Sequence, residues 1–123
     1  MGSTLEYIKL PNNLTARLEG RSTWGRVGLQ IHSTAGLVDP GFEGCLTFEL
    51  HNLGKLPLPL FPGVRIGQLV FYPTNFVGVS YSDKHQAKYH SQLGPKNSTF
   101  YDDYDFQNII TFKKDERNNK QNN

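Results

Sequence analysis

One cysteine, one methionine and one tryptophan are all that the 123 residues carry of those types. The lone thiol, Cys45, makes no internal disulfide and cannot build a cysteine zinc cluster. Set in an apolar strand, it reads as a buried, inert side chain. Excess charge of one sign is missing too. Thirteen Lys and Arg against 11 Asp and Glu leave a formal net charge of +2, too little to argue for a nucleic-acid surface. No apolar run approaches the roughly 20 residues that cross a bilayer, and the opening MGSTLEYIKL has no basic-then-apolar signal layout. The expectation is a cytoplasmic protein with neither a nucleic-acid nor a membrane partner. Helical periodicity is nearly absent, and no internal repeat stands out.

Present instead are short strand patterns punctuated by Gly and Pro. Residues 4–10 are rich in strand formers and stop at Pro11-Asn12-Asn13. Leu14, Ala16 and Leu18 then alternate with Thr15, Arg17 and Glu19 until Gly20, so one face is apolar and the other wet. Strands are expected over 27–31 and 45–51. In the latter, Leu46, Phe48 and Leu50 share one face while Thr47 and Glu49 share the other. Residues 56–60, LPLPL, fit only a sheet edge, and 64–72 reads as a strand with a bulge at Gly67. Residues 73–95 read as a loop able to act as a lid. Residues 103–112 form a short helix or strand, and 113–123 is a polar tail expected to be disordered. The pattern gives one domain over 1–112, an all-β sandwich or barrel.

Residues 20–50 concentrate the polar equipment that strands do not need. Arg21, Ser22, Thr23 and Arg26 lie on a turn between strands, where amides, hydroxyls and guanidinium forks can hold a polyphosphate. The same turn reads equally well as merely solvated. A strand glutamate such as Glu49 is usually just exposed. Both readings shift if the strands close into one module, because Arg26, Asp39, Thr47, Glu49 and Gln68 then form a sequestered polar cluster. A catalytic zinc is disfavoured, since one cysteine and the spacing of His32, His51, His85 and His90 supply no ligand set. Ser22 has no nucleophile-elbow context either.

At these residues a resemblance becomes specific. GRSTWGR at 20–26, HSTAGLVDPGFEG at 32–44, LTFELHNLGKLPLPLFPG at 46–63, IGQL at 66–69 and KYHSQLGP at 88–95 together resemble the dCTP deaminase family, within the dUTPase-like superfamily. The resemblance runs over roughly residues 4–101. It implies a dUTPase-like β-clip, or distorted jelly-roll barrel, here N-terminally truncated because the family carries a substantial section before the equivalent of Thr4. The dUTPases share the first, second and fourth motifs but have an aliphatic residue where this chain has Glu49.

The resemblance also implies roles. Residues 21–26, with Trp24 and Gly25 replacing the family's usual pair, would hold the triphosphate, and Ser22 and Arg26 would position water and stabilise the intermediate. Glu49 would be the general base at C4 of cytosine, without a metal there. Ala35, Asp39, Thr47, Phe48 and Gln68 would contact sugar or base, and Tyr81, Lys88 and Gln92 would close over the phosphates. Mg²⁺ would travel with the triphosphate, and zinc is not expected. Gly36, followed by Leu37, resembles members that also hydrolyse dUTP. A small residue leaves room for a water in line with the α-phosphate, activated by Asp39, giving dUMP and pyrophosphate. A homotrimer with shared sites is implied. The remaining readings are a dUTPase alone, or a catalytically silent nucleotide-binding or assembly fragment.

Overall fold

The computed structural model describes residues 1–84 and 87–121, with side chains to residue 113. Its best-formed strand is β3 (Leu14–Gly20), where Ala16 and Leu18 are buried and Arg17 is exposed, as a period of two requires. β3 is the middle of a three-stranded antiparallel sheet between β5 (Leu37–Val38) and β9 (Gly67–Pro73). Ala16 faces Val38, and β9 runs unbroken from Leu14 opposite Pro73 to Gly20 opposite Gly67. No residue is extra in that ladder. The bulge expected at Gly67 is therefore replaced by the start of the strand.

The other strands pair in antiparallel twos. β1 (Gly2–Ser3) pairs with β7 (Thr47–Phe48), β2 (Ile8–Lys9) with β6 (Glu43–Gly44), and β4 (Leu29–Gln30) with β8 (His51–Asn52). The longer strands expected over 4–10, 27–31 and 45–51 shorten because the chain changes partner. Leu46 O accepts from Thr4 N at 2.9 Å, whereas Glu49 N already donates to Ile31 O at 3.0 Å. Residues 56–60 stay outside any strand, as Pro57 and Pro59 lack ladder donors. Strands dominate and helices are few, in keeping with an all-β class. Among the described residues the strands lie in four separate sheets and do not close into one barrel.

The core comes from β3, β4, β5 and β7 and from residues flanking the short strands: Leu10, Ala16, Leu18, Leu29, Ile31, Val38, Phe42, Leu46 and Phe48. Each large member contributes roughly 1.5–3 kcal/mol of transfer free energy when fully buried. Cys45 is buried with a free thiol.

Residues 74–103 hold two 3₁₀ turns, Tyr81–Asp83 and Phe100–Asp102. Helix α2 (Tyr104–Gln121) follows. It continues through 113–121, where composition pointed to disorder. Asp103 starts it, its Oδ1 accepting from Asp105 N at 3.1 Å, and the Lys, Arg, Glu and Gln that follow cost little in a helix. Residues 122–123 of that tail lie outside the described residues, as does His85 of the zinc reading. Among the described residues no helix is long and apolar enough to cross a membrane.

Candidate active site

β3 delivers the arginine turn. Immediately after Gly20 the chain winds into α1 (Ser22–Gly25), with Gly25 N donating to Arg21 O at 2.9 Å and Arg26 N to Ser22 O at 2.9 Å. Trp24 is half-buried against the core and anchors the turn, leaving Arg21, Ser22, Thr23, Gly25 and Arg26 exposed. Arg21 Nη1 donates to Arg65 O at 2.9 Å, and Gln68 Nε2 to Gly20 O at 3.2 Å. Thus the start of β9 and the end of β3 bring Gln68 to the foot of the turn.

Glu49 is tied toward β3 through successive neighbours, with no direct hydrogen bond to β3 or the arginine turn among the described residues. Its amide is fixed on Ile31 O, and its Oε2 accepts from Ser33 N at 3.0 Å. Next in line, the His32 ring lies over Gly36: a Cβ on Gly36 would come 3.0 Å from His32 Nε2 and 2.9 Å from Leu18 O. Gly36 O in turn accepts from Leu18 N at 2.7 Å. Glu49 and Thr47 are half-buried while Phe48 between them is buried, so the carboxylate stands off the core face. Ala35 and Leu37 are exposed. Asp39 is half-buried beyond Val38, roughly 10 Å along the strand from Gly36 at 3.3 Å per residue.

A second cluster gathers around Thr47. Residues 91–92 run alongside β6, with Gly44 bridging Gln92 in parallel, Ser91 N donating to Glu43 O and Cys45 N to Gln92 O, both at 2.8 Å. Gln92 Nε2 donates to Cys45 O at 2.6 Å and to Thr47 Oγ1 at 3.2 Å. Tyr81 Oη accepts from Tyr89 N at 3.1 Å. Lys88 is engaged elsewhere, donating to Asp103 Oδ2. That bond raises the Lys88 ammonium above its ordinary pKa and holds the Asp103 carboxyl below its own. Among the described residues no hydrogen bond or ion pair joins Lys88 or Gln92 to the arginine turn within one chain.

Two buried atoms at these clusters, His32 Nδ1 and Gln92 Oε1, have no hydrogen-bond partner among the described residues. Such groups each cost about 1–3 kcal/mol when left unsatisfied. Sequence reasoning did not single out Ser33, Asp103 or the orphaned face of His32. The HSTAG turn marked the neighbourhood of His32 and Ser33, and the expected 103–112 element begins at Asp103, but nothing local announced the pairing of Asp103 with Lys88.

The model of the dCTP deaminase-like family matches residues 1–74. The chain belongs to the dCTP deaminase-like family. Among its relatives, a protein of Dictyoglomus turgidum named dCTP deaminase, dUMP-forming, is 47% identical over 105 residues, covering 85% of this chain and 54% of the relative. A protein of Mycobacterium avium with the same name is 49% identical over 113 residues, covering 90% and 57%. One from Methanobrevibacter smithii, again so named, is 47% identical over 107 residues, covering 85% and 55%. This member of the family thus spans about half the length of the relatives it matches.

Proposed function

We propose that the chain carries the catalytic half of a dCTP deaminase that forms dUMP. The observation that carries this reading is the seating of Glu49: a strand carboxylate turned off the core face, fixed through Ser33 N and linked through His32 and Gly36 to the strand that launches the arginine turn. The names of the relatives support the same substrate.

In this reading Glu49 takes a proton from water as the oxygen adds to C4 of cytosine, then returns protons to the ring and to the departing amine. The C4–N bond breaks and ammonia leaves. Ser22 and Arg26 hold the water and stabilise the tetrahedral intermediate, with Arg21, Thr23, Trp24 and Gly25 framing the phosphates. Ala35, Thr47, Phe48 and Gln68 line the sugar and base. Asp39 orients a second water toward the α-phosphorus, whose bond to the bridging oxygen of the β-phosphate breaks to give dUMP and pyrophosphate. Gly36 and Leu37, which mark this second step in the resemblance, bear on it through the packing of Gly36 against His32 and Leu18 O and not through open space at Gly36. Tyr81, Lys88 and Gln92 close on the phosphates.

In this reading Mg²⁺ would arrive on the triphosphate. Magnesium there would neutralise phosphate charge. A homotrimer with shared sites fits the exposed arginine turn and the orphaned His32 and Gln92 atoms, which a neighbouring copy or the nucleotide would satisfy.

The test is to incubate the purified chain with dCTP and Mg²⁺ while following ammonia and pyrophosphate. Both products are expected. Ammonia alone marks a deaminase only. Pyrophosphate from dUTP without ammonia from dCTP marks a dUTPase, and binding with neither product marks a silent module. Glu49→Gln should lower ammonia release at least ~100-fold and leave dCTP binding within about tenfold. Unchanged turnover in that variant removes Glu49 from the mechanism.

A further inference from the structure

Ser80 is the most buried polar side chain among the described residues, 2% exposed, and it belongs to none of the assigned motifs. Its hydroxyl donates to Asp83 Oδ2 at 2.6 Å and lies 2.7 Å from Ser82 Oγ, while Ser80 N donates to Asp83 Oδ2 at 3.3 Å. The two residues thus cap the Tyr81–Asp83 turn reciprocally. A polar residue is seldom this buried without a task.

The capped turn is pressed against the Asp39-Pro40-Gly41 turn. Tyr81 N donates to Pro40 O at 2.9 Å, and the Tyr81 ring lies 5.8 Å from that of Phe42. Gly41 has φ +78°, and a Cβ there would fall 2.5 Å from Ser80 Cβ, so only a glycine permits this closeness. Phe42 N closes the Asp39 turn on Asp39 O at 3.1 Å. On its far side Tyr81 Oη holds Tyr89 N, next to Lys88. One turn therefore touches both the Asp39 segment and the 88–92 segment.

We propose that the Ser80–Asp83 turn is a latch that sets the position of Asp39, with Ser80 and Asp83 as positioning residues for the phosphate-cleaving half of the reaction. This rests on the reading of Asp39 given above. Losing the cap frees Tyr81 N from Pro40 O and lets the Asp39 turn drift, while Glu49, held by Ser33 and Ile31 on other strands, stays in place.

The experiment compares Ser80→Ala and Asp83→Ala with Asp83→Asn, which keeps an acceptor for Ser80. Pyrophosphate formed per ammonia released from dCTP should fall roughly tenfold in the two alanine variants, since about 1 Å of misplacement can cost that much or more, and Asp83→Asn should restore it. A variant that only destabilises the fold lowers both products together, and that outcome overturns the proposal. Hydrogen exchange at the Tyr81 amide gives a readout independent of turnover. It should quicken in both alanine variants, and an unchanged rate likewise overturns the latch. Should the wild-type chain release no pyrophosphate, the proposed function falls in that respect, and Tyr81 exchange alone decides whether the latch exists.

Discussion

Gly36 shows how much a single position can owe to space alone. Its backbone is ordinary, yet a Cβ would meet Leu18 O at 2.9 Å and the His32 ring at 3.0 Å. The ring can tilt aside, but the carbonyl belongs to β3 and cannot. Gly36→Ala should therefore destabilise the fold by about 1–3 kcal/mol, read as a lower urea midpoint at unchanged slope. An unshifted midpoint would mean that the His32 side has room to give. The sequence marks this position as small through its family resemblance. It does not reveal the reason, because the groups that enforce it sit eighteen residues away on β3 and on the other side of the HSTAG turn. Glu49 is the opposite case. Its direction off the core follows from the alternation of Leu46, Phe48 and Leu50, whereas its partner Ser33 N comes from a segment that no local pattern pairs with it.

Among elements, β3 was the most legible, because a seven-residue alternation carries its own face assignment. Leu18, one residue past its middle and 5% exposed, should cost about 2–5 kcal/mol when cut to alanine, measurable by the same urea titration. The two-residue strands were not legible, since their lengths are set by where the chain trades one partner for another. The α2 start falls where an element over 103–112 is expected, but the pairing of Asp103 with Lys88 across fifteen residues was not legible. Asp103 there performs two tasks at once: Oδ1 accepts from Asp105 N and Oδ2 from Lys88. The hydrogen bond from Lys88 is the main cause of the lowered Asp103 pKa, and the bond to Asp103 the main cause of the raised Lys88 pKa. A depressed carboxyl stabilises above its unfolded value near 4 and loses that support as pH falls through its folded value. A raised ammonium stabilises below about 10.4 and loses its support as pH climbs through its folded value. Protection of the Asp105 and Gln107 amides should accordingly stay level between about pH 5 and 9 and decline below about pH 4, with the acid decline gone in Asp103→Asn. The same decline in that variant would assign it to another carboxyl. Since the proposed role of Lys88 would require it to leave Asp103 to reach a phosphate, Asp103→Asn should also lower the dCTP concentration that half-saturates the chain. A rise would make Asp103 an organiser of the loop rather than a competitor for Lys88.

At the scale of the whole molecule, the question is what covers β9. It is an edge strand of the β5-β3-β9 sheet, and it presents Phe71 at 52% and Tyr72 at 48% exposure, with Phe61 and Phe76 more exposed still. A seven-residue edge with free backbone groups and aromatic side chains is what sheet proteins ordinarily pair, bury or charge. The arginine turn is equally outward-facing, and among the described residues no hydrogen bond or ion pair joins Lys88 or Gln92 to it within one chain. A shared site answers both facts, since association would cover apolar surface and bring one copy's phosphate-closing residues toward another's turn. The proposed homotrimer then couples folding to concentration: anything that binds only the folded state, a second copy included, raises the unfolding midpoint by mass action. The thermal midpoint should climb as the protein is concentrated, and native mass in solution should be three times that of one chain. Adding dCTP should raise the midpoint further in the assembled form and have little effect under dilution to single chains. A single-chain mass with a midpoint indifferent to concentration, yet full ammonia release, would place the complete deaminating site within one copy and leave β9 to be explained by some other cover.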